Sequence, residues 1–116
     1  MIILRGNPVS TQTIYRFSCI GNYPRMYMTK RGKSTKEDYQ WSAKSQWKED
    51  PIKKDLEVVV RFYFKDRATR DLDNHNKLWQ DALTGIVYYD DKQIRKMTTE
   101  RLYDKIDPRI EIDVIQ

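Results

Sequence analysis

Cysteine is nearly absent: Cys19 stands alone among 116 residues. No disulfide can form within the chain, and a reducing, cytoplasmic setting is expected. No apolar run approaches the ~20 residues that span a bilayer. Met1 opens on the strand-like Ile2-Ile3-Leu4 rather than on a signal peptide. Histidine is just as scarce, with His75 the single copy, so no Cys/His set is present to hold zinc. Internal repeats, low-complexity tracts and linkers are missing too. The expectation is one domain over residues 1–116, since the chain is too short for two independent cores.

What the chain does have is aromatic and charged. It is 39% hydrophobic and 34% charged, with three Trp, eight Tyr and three Phe. That suffices for a core, and the charge is too mixed in sign for wholesale disorder. A formal charge of +5 favours an acidic partner, nucleic acid before membrane.

Ile2–Leu4 reads as a first strand stopped by Gly6-Asn7-Pro8, and residues 13–20 as a second before a Gly21-Asn22 turn. Residues 29–36 read as an exposed basic loop. Ser34 and Glu37 form a capping box for a helix from about Thr35 to Glu49, with Tyr39, Ala43, Gln46 and Trp47 on one face and Pro51 ending it. Leu56–Lys65 alternates most clearly: Leu56, Val58, Val60, Phe62 and Phe64 share a face. A second helix fits Asp73–Leu83, with Leu78, Trp79 and Ala82 inward and Gly85 as its stop. Ile94–Tyr103 and Ile110–Ile115 read as two antiparallel strands joined across Asp104–Pro108. Interspersed elements without a regular βαβ repeat argue for an α+β fold with a mixed sheet and two main helices.

Cations and aromatics offer candidate contacts. Lys30, Arg31, Lys33 and Lys36, with Lys65, Arg67 and Arg70, are placed to meet backbone phosphates. Tyr27, Tyr88 and Tyr89 could stack on unpaired bases, but their hydrophobic neighbours favour the core. Cys19 reads as a buried apolar residue, Tyr39 and Trp47 as core or dimer contacts, and His75 as packed or solvent-facing.

The densest chemistry lies in Arg70–Gln93, RDLDNHNKLWQDALTGIVYYDDKQ, which gathers Asp71, Asp73, Asp81, Asp90 and Asp91 around Lys77 in an otherwise basic chain. Extended geometry at Asp71-Leu72-Asp73 puts both carboxylates on one side, and Lys77 and Asp81, four apart, share a helix face. Taken singly these are ordinary features, an N-cap, an i,i+4 pair and a turn. Converging, they are costly: two carboxylates ~5 Å apart repel by ~3 kcal/mol at an effective dielectric of 20. A proton or a divalent cation must offset this, and Mg²⁺ or Mn²⁺ with oxygen ligands is the usual answer. A carboxylate-held Mg²⁺ activates water and neutralises charge on a phosphate, and Lys77 can position that phosphate.

The same run resembles the RusA family of Holliday junction resolvases, whose pattern is roughly D-x-D-N-x-x-K, then D-A-L, then a hydrophobic run ending D-D-x-Q. Similarity extends more weakly to the first strand with Pro8, to Tyr15-Arg16, to the basic segment and to the strand ending at Phe64. The resemblance implies a Mg²⁺-dependent homodimer, with Mn²⁺ as substitute, that nicks four-way DNA junctions at paired positions in recombination, repair or phage DNA processing. It implies Asp71, Asp73 and Asp91 as metal ligands, Asp90 as the alternative or neighbour to Asp91, Lys77 as the catalytic lysine and Asn74 in support. The connection from Leu83 to Asp90 is about a residue shorter than that pattern, and the N-terminal asparagine motif is degenerate (NPVSTQTIYR). Competing readings are a nuclease acting on other branched DNA or on RNA, and a DNA-binding protein without activity. A phage or prophage origin is an expectation from the family alone.

Overall fold

The longest alternating run of the sequence is the centre of the sheet. In a computed structural model, which describes residues 1–21 and 23–116, strand β4 (Leu56–Phe64) buries every second residue. Leu56, Val58, Val60, Phe62 and Phe64 all lie on the covered face, as a period-2 strand with one packed side requires. The Asn22 half of the expected turn lies outside the described residues.

Beside β4 run β1 (Ile2–Arg5), β5 (Ile94–Tyr103) and β6 (Arg109–Ile115), in the order β1-β6-β4-β5. β6 is antiparallel to both β1 and β4, whereas β5 is parallel to β4. The expected β5–β6 pairing is therefore not formed. The strands are where the sequence put them, but β4 lies between them. The segment after β4 crosses over the sheet, so β5 must run parallel to β4, and the short Asp104–Pro108 connection carries β6 to the other side.

Helix α2 (Lys30–Gln46) and helix α3 (Lys77–Leu83) pack on one another, and α2 also packs on β1. Trp79, Ala82, Leu83, Val87 and Tyr88 are fully buried with the inward residues of β4 and β6. Full burial of each large side chain is worth ~1.5–3 kcal/mol. The Tyr88 hydroxyl donates to the Gln80 carbonyl at 2.8 Å, so this core tyrosine leaves no polar atom unpaired. The result is a single compact α+β domain with a mixed four-stranded sheet and two main helices. No described helix is long and apolar enough to cross a membrane.

Several local expectations are corrected. Helix α2 starts at Lys30, with Thr29 rather than Ser34 as N-cap and its hydroxyl accepting from Gly32 N at 3.2 Å. The basic segment is thus two helical turns, not a loop. The helix stops at Gln46, short of Glu49. Gln46 is exposed rather than packed in the core: its amide accepts from Ile3 N at 2.7 Å and donates to Ile3 O at 2.8 Å, satisfying the edge of β1.

Residues 13–20 divide into a helical turn, α1 (Thr11–Ile14), and strand β2 (Tyr15–Ile20). β2 pairs with β3 (Tyr23–Met28) as a hairpin separate from the main sheet. Cys19 and Tyr27 lie on it and are exposed, as is Tyr89 elsewhere, so none of the three is a core residue. The expected helix 73–83 divides as well, into a 3₁₀ turn over Leu72–His75 and then α3. Gly85, at φ +87°, supplies the left-handed conformation that follows α3.

Candidate active site

The first half of the acidic run is a capped turn. The Asp71 carboxylate accepts from Asp73 N at 3.1 Å, and His75 Nδ1 lies 2.8 Å from the Asp71 carbonyl. Asp73 is therefore inside a 3₁₀ turn rather than in an extended strand alternating with Asp71. Leu72 packs against the core. His75 is buried, its ring set edge-on to Phe62 and Phe64. The turn is thereby pinned to the carboxyl end of β4. An open cleft of about 320 Å³ runs past it, with Asn7, Ser10, Arg31, Asp71 and Asn74 among its walls. Thr11 Oγ1 donates to the Asn74 carbonyl at 2.7 Å, tying the N-terminal segment to this turn.

One turn along α3, Lys77 Nζ lies 3.4 Å from Asp81 Oδ2, as their spacing predicts. The same carboxylate accepts from the Tyr15 hydroxyl at 2.7 Å, and Lys77 Nζ sits 5.4 Å from the Tyr15 ring centroid. Burial, then the bond to Asp81, pushes the Tyr15 hydroxyl well above the usual tyrosine range, so it remains a donor.

Asp90 and Asp91 form a second turn, the 3₁₀ segment Asp91–Gln93. Gln93 locks it. Its Oε1 accepts from Tyr89 N and Asp90 N at 2.9 Å, and its Nε2 donates to the Ile52 carbonyl at 2.7 Å and the Lys54 carbonyl at 2.9 Å. The Lys92 N–H bond, then Asp91, holds the Asp90 carboxyl below its usual range. Burial, then Asp90 and Asp81, pushes Asp91 above its own, with Lys77 opposing.

Asp91 thus feels Asp90, Asp81 and Lys77, while Asp71 and Asp73 stand on the capped turn that leads into α3. Among the described residues, no three His, Cys, Asp or Glu side chains are grouped to hold a metal.

A hard divalent cation still fits this donor set. Every donor is a carboxylate oxygen, negative charge near Lys77 exceeds positive, and Mg²⁺ commonly takes one or two carboxylates, completing its shell with waters and substrate phosphate.

The cations expected at phosphates differ in availability. Arg70 pairs with Asp66 at 2.7 Å and lies over the Phe64 ring. Arg67 stacks on Tyr103 at 4.3 Å beside a second cleft. Arg31 lines the Asp71 cleft, and Lys33 and Lys36 border a shallow groove on α2. Lys30 and Lys65 are exposed. Sequence reasoning put Asp81 beside Lys77 without giving it a role, and left Tyr15 and Gln93 out of the site. Asp81 was detectable by its spacing from Lys77, and Gln93 by its place after the acid pair. Nothing local marks Tyr15, 66 residues from its partner.

No curated protein matches the chain. The family described as Endodeoxyribonuclease RusA matches it over residues 6–115, nearly its whole length and both acidic turns. The chain belongs to the RusA family and is a Holliday junction endodeoxyribonuclease.

Proposed function

We propose that the enzyme cuts four-way DNA junctions as a Mg²⁺-dependent homodimer, Mn²⁺ substituting, with Asp71 and Asp73 of the first turn and Asp91 of the second drawn onto the ion when it binds and Asp90 adjoining. The observation that carries this is charge: Asp91 feels the carboxylates of Asp90 and Asp81, opposed by Lys77, whose Nζ lies 3.4 Å from Asp81. The bound ion supplies Lewis-acid charge and an activated water. The residues do the rest. The Asp71 turn, capped by its own carboxylate and braced by His75, holds Asp71 and Asp73 at the start of α3. Lys77, steadied by Asp81, offers an ammonium to the non-bridging oxygens of the scissile phosphate. Asn74 fixes the turn against the N-terminal segment. The water oxygen bonds to phosphorus as a P–O ester bond breaks, and a proton goes to the departing sugar oxygen.

Paired nicks need two sites related by a two-fold axis, and a C₂ dimer supplies them from one sequence. Arg31, Lys33 and Lys36 on α2, with Lys30, Lys65, Arg67 and Arg70, serve as phosphate contacts. A mobile four-way junction, a linear duplex, a flap and an RNA hairpin, each incubated with Mg²⁺, test the reading. Paired cuts in the junction with intact duplex are expected, and Asp73→Asn should bind the junction without cutting it. Equal cutting of RNA or flaps, or full activity of Asp73→Asn, would overturn it.

A further inference from the structure

The β2–β3 hairpin has no role in the reaction as described, yet it is the most unusual surface of the molecule. The first 36 residues contain seven Lys and Arg and no Asp or Glu, so the entire positive surplus of the protein is concentrated there. The hairpin lies within this stretch and forms its own two-stranded sheet. All of β3 except Met28 is exposed, with Tyr23 at 77% and Tyr27 at 52%. A strand exposed on both faces has no folding reason to carry tyrosines.

The pairing register sorts the residues. Arg16 lies opposite Tyr27, and β3 alternates, so Arg16, Tyr23, Arg25 and Tyr27 share one face. Arginine interleaved with tyrosine in a field without carboxylates is complementary to a nucleic acid strand: guanidinium for phosphate, ring for an unstacked base. The hairpin is also not independent of the chemistry. Its first residue is Tyr15, bonded to Asp81 and beneath Lys77. Its last, Met28, packs on the core and is followed by Thr29, the cap of α2, where Lys30, Arg31, Lys33 and Lys36 continue the positive field.

We infer that the Arg16–Tyr23–Arg25–Tyr27 face of the hairpin is a branch-reading arm that engages unstacked bases and flanking phosphates at the junction centre and so determines preference for branched over linear DNA. This rests on the proposed function for its substrate, but not on the metal or the acids. A duplex offers phosphates to Arg16 and Arg25 but no open ring to the tyrosines. A branch point offers both, and the Tyr15 root places whatever the arm holds beside Lys77.

The test is binding without divalent metal, so that cleavage plays no part. An immobile four-way junction carrying 2-aminopurine at its centre is compared with a linear duplex of the same sequence across a salt series. Tyr23→Ala/Tyr27→Ala should weaken junction binding about tenfold or more, leave duplex binding nearly unchanged, and abolish the change in 2-aminopurine fluorescence. Tyr23→Phe/Tyr27→Phe should keep all three, because stacking needs the ring alone. Arg16→Gln/Arg25→Gln should lower the salt slope by about 2 on both DNAs. Thermal melts and sedimentation of each variant accompany the binding.

An unchanged junction-to-duplex ratio in the alanine variant, or an unchanged salt slope in the glutamine variant, would overturn the inference. So would loss of dimers with equal weakening on both DNAs, which would assign the face to a second copy of the chain. Failure of Asp73→Asn to block cutting would count against the proposed site alone, since these binding measurements do not depend on it.

Discussion

Two groups of acids in this molecule are treated in opposite ways. On the outer face of the sheet, Glu111 lies between two guanidiniums, with Arg61 Nε at 3.2 Å and Arg109 Nε at 2.8 Å. Arg61 also reaches Asp113 at 2.8 Å, and Arg109 reaches Asp104 at 2.8 Å while stacking 3.9 Å from the Tyr63 ring. Nearly every charge there has its opposite. Beside α3, Asp81 and Asp91 share Lys77, and Asp90 adds its charge to Asp91. Folding has balanced the first group internally and left the second to be balanced by something that arrives later. An acid paired with arginine is structural, and an acid left with its own kind is available for chemistry.

The largest effect expected from this contrast is on the unbalanced side. Asp71→Asn or Asp91→Asn should lower junction cleavage by roughly 10³-fold, the scale of losing a main electrostatic element of an active site, with junction binding retained in a gel-shift assay. EDTA should stop the wild type to the same extent, and Mg²⁺ should restore it. If Asp91→Asn melts far below wild type, the acid is structural and the contrast fails.

Next comes the balanced side. Glu111→Gln leaves Arg61 and Arg109 facing a neutral amide and should cost about 1–2 kcal/mol in denaturant unfolding, discounted because the network lies near solvent. Its specific activity below the melting range should match wild type. Asp91→Asn should show the reverse pattern, an unchanged or slightly raised melting temperature with lost activity.

A smaller effect is expected with pH. Burial pushes the Glu111 carboxyl up, but the bonds from Arg109 and then Arg61 outweigh it and hold it below the usual glutamate range. Its stabilising contribution is then complete above the ordinary glutamate range and lost as acidification passes through the lowered value. Melting temperature should fall more steeply with acid in wild type than in Glu111→Gln. The smallest effect tests the turn after α3: Gly85→Ala, at φ +87° with open space around its Cβ, should cost about 1 kcal/mol of strain and nothing in binding.

The same contrast shows what was legible in the sequence. β4 could be read residue by residue, because a half-buried strand writes its packing as alternation. The family was legible because the chemistry of its acids and lysine restricts residue type and spacing. Strand partners were not: Ile94–Tyr103 has the same composition whether it pairs with β4 or β6, and only the crossover decides. Nor was the 3₁₀ turn at Leu72–His75, because the bond from Asp73 N to the Asp71 side chain competes with extended backbone on equal local terms. The N-terminus of α2 was misread because Ser34 and Glu37 satisfy a capping pattern that Thr29 takes over five residues earlier, where Gly32 fits against Met28 and Ile14. Tyr27 was taken for core because a hairpin standing off the sheet has no periodicity to distinguish it.

The amide of Gln93 carries one further implication. Because it measures the acidic turn from Ile52 and Lys54, the address of Asp90 and Asp91 is set by the approach to β4 and owes little to the link from Leu83. That link can therefore lose or gain a residue while the carboxylates keep their coordinates. Glutamate at the same place, unable to donate, would cut both tethers at once.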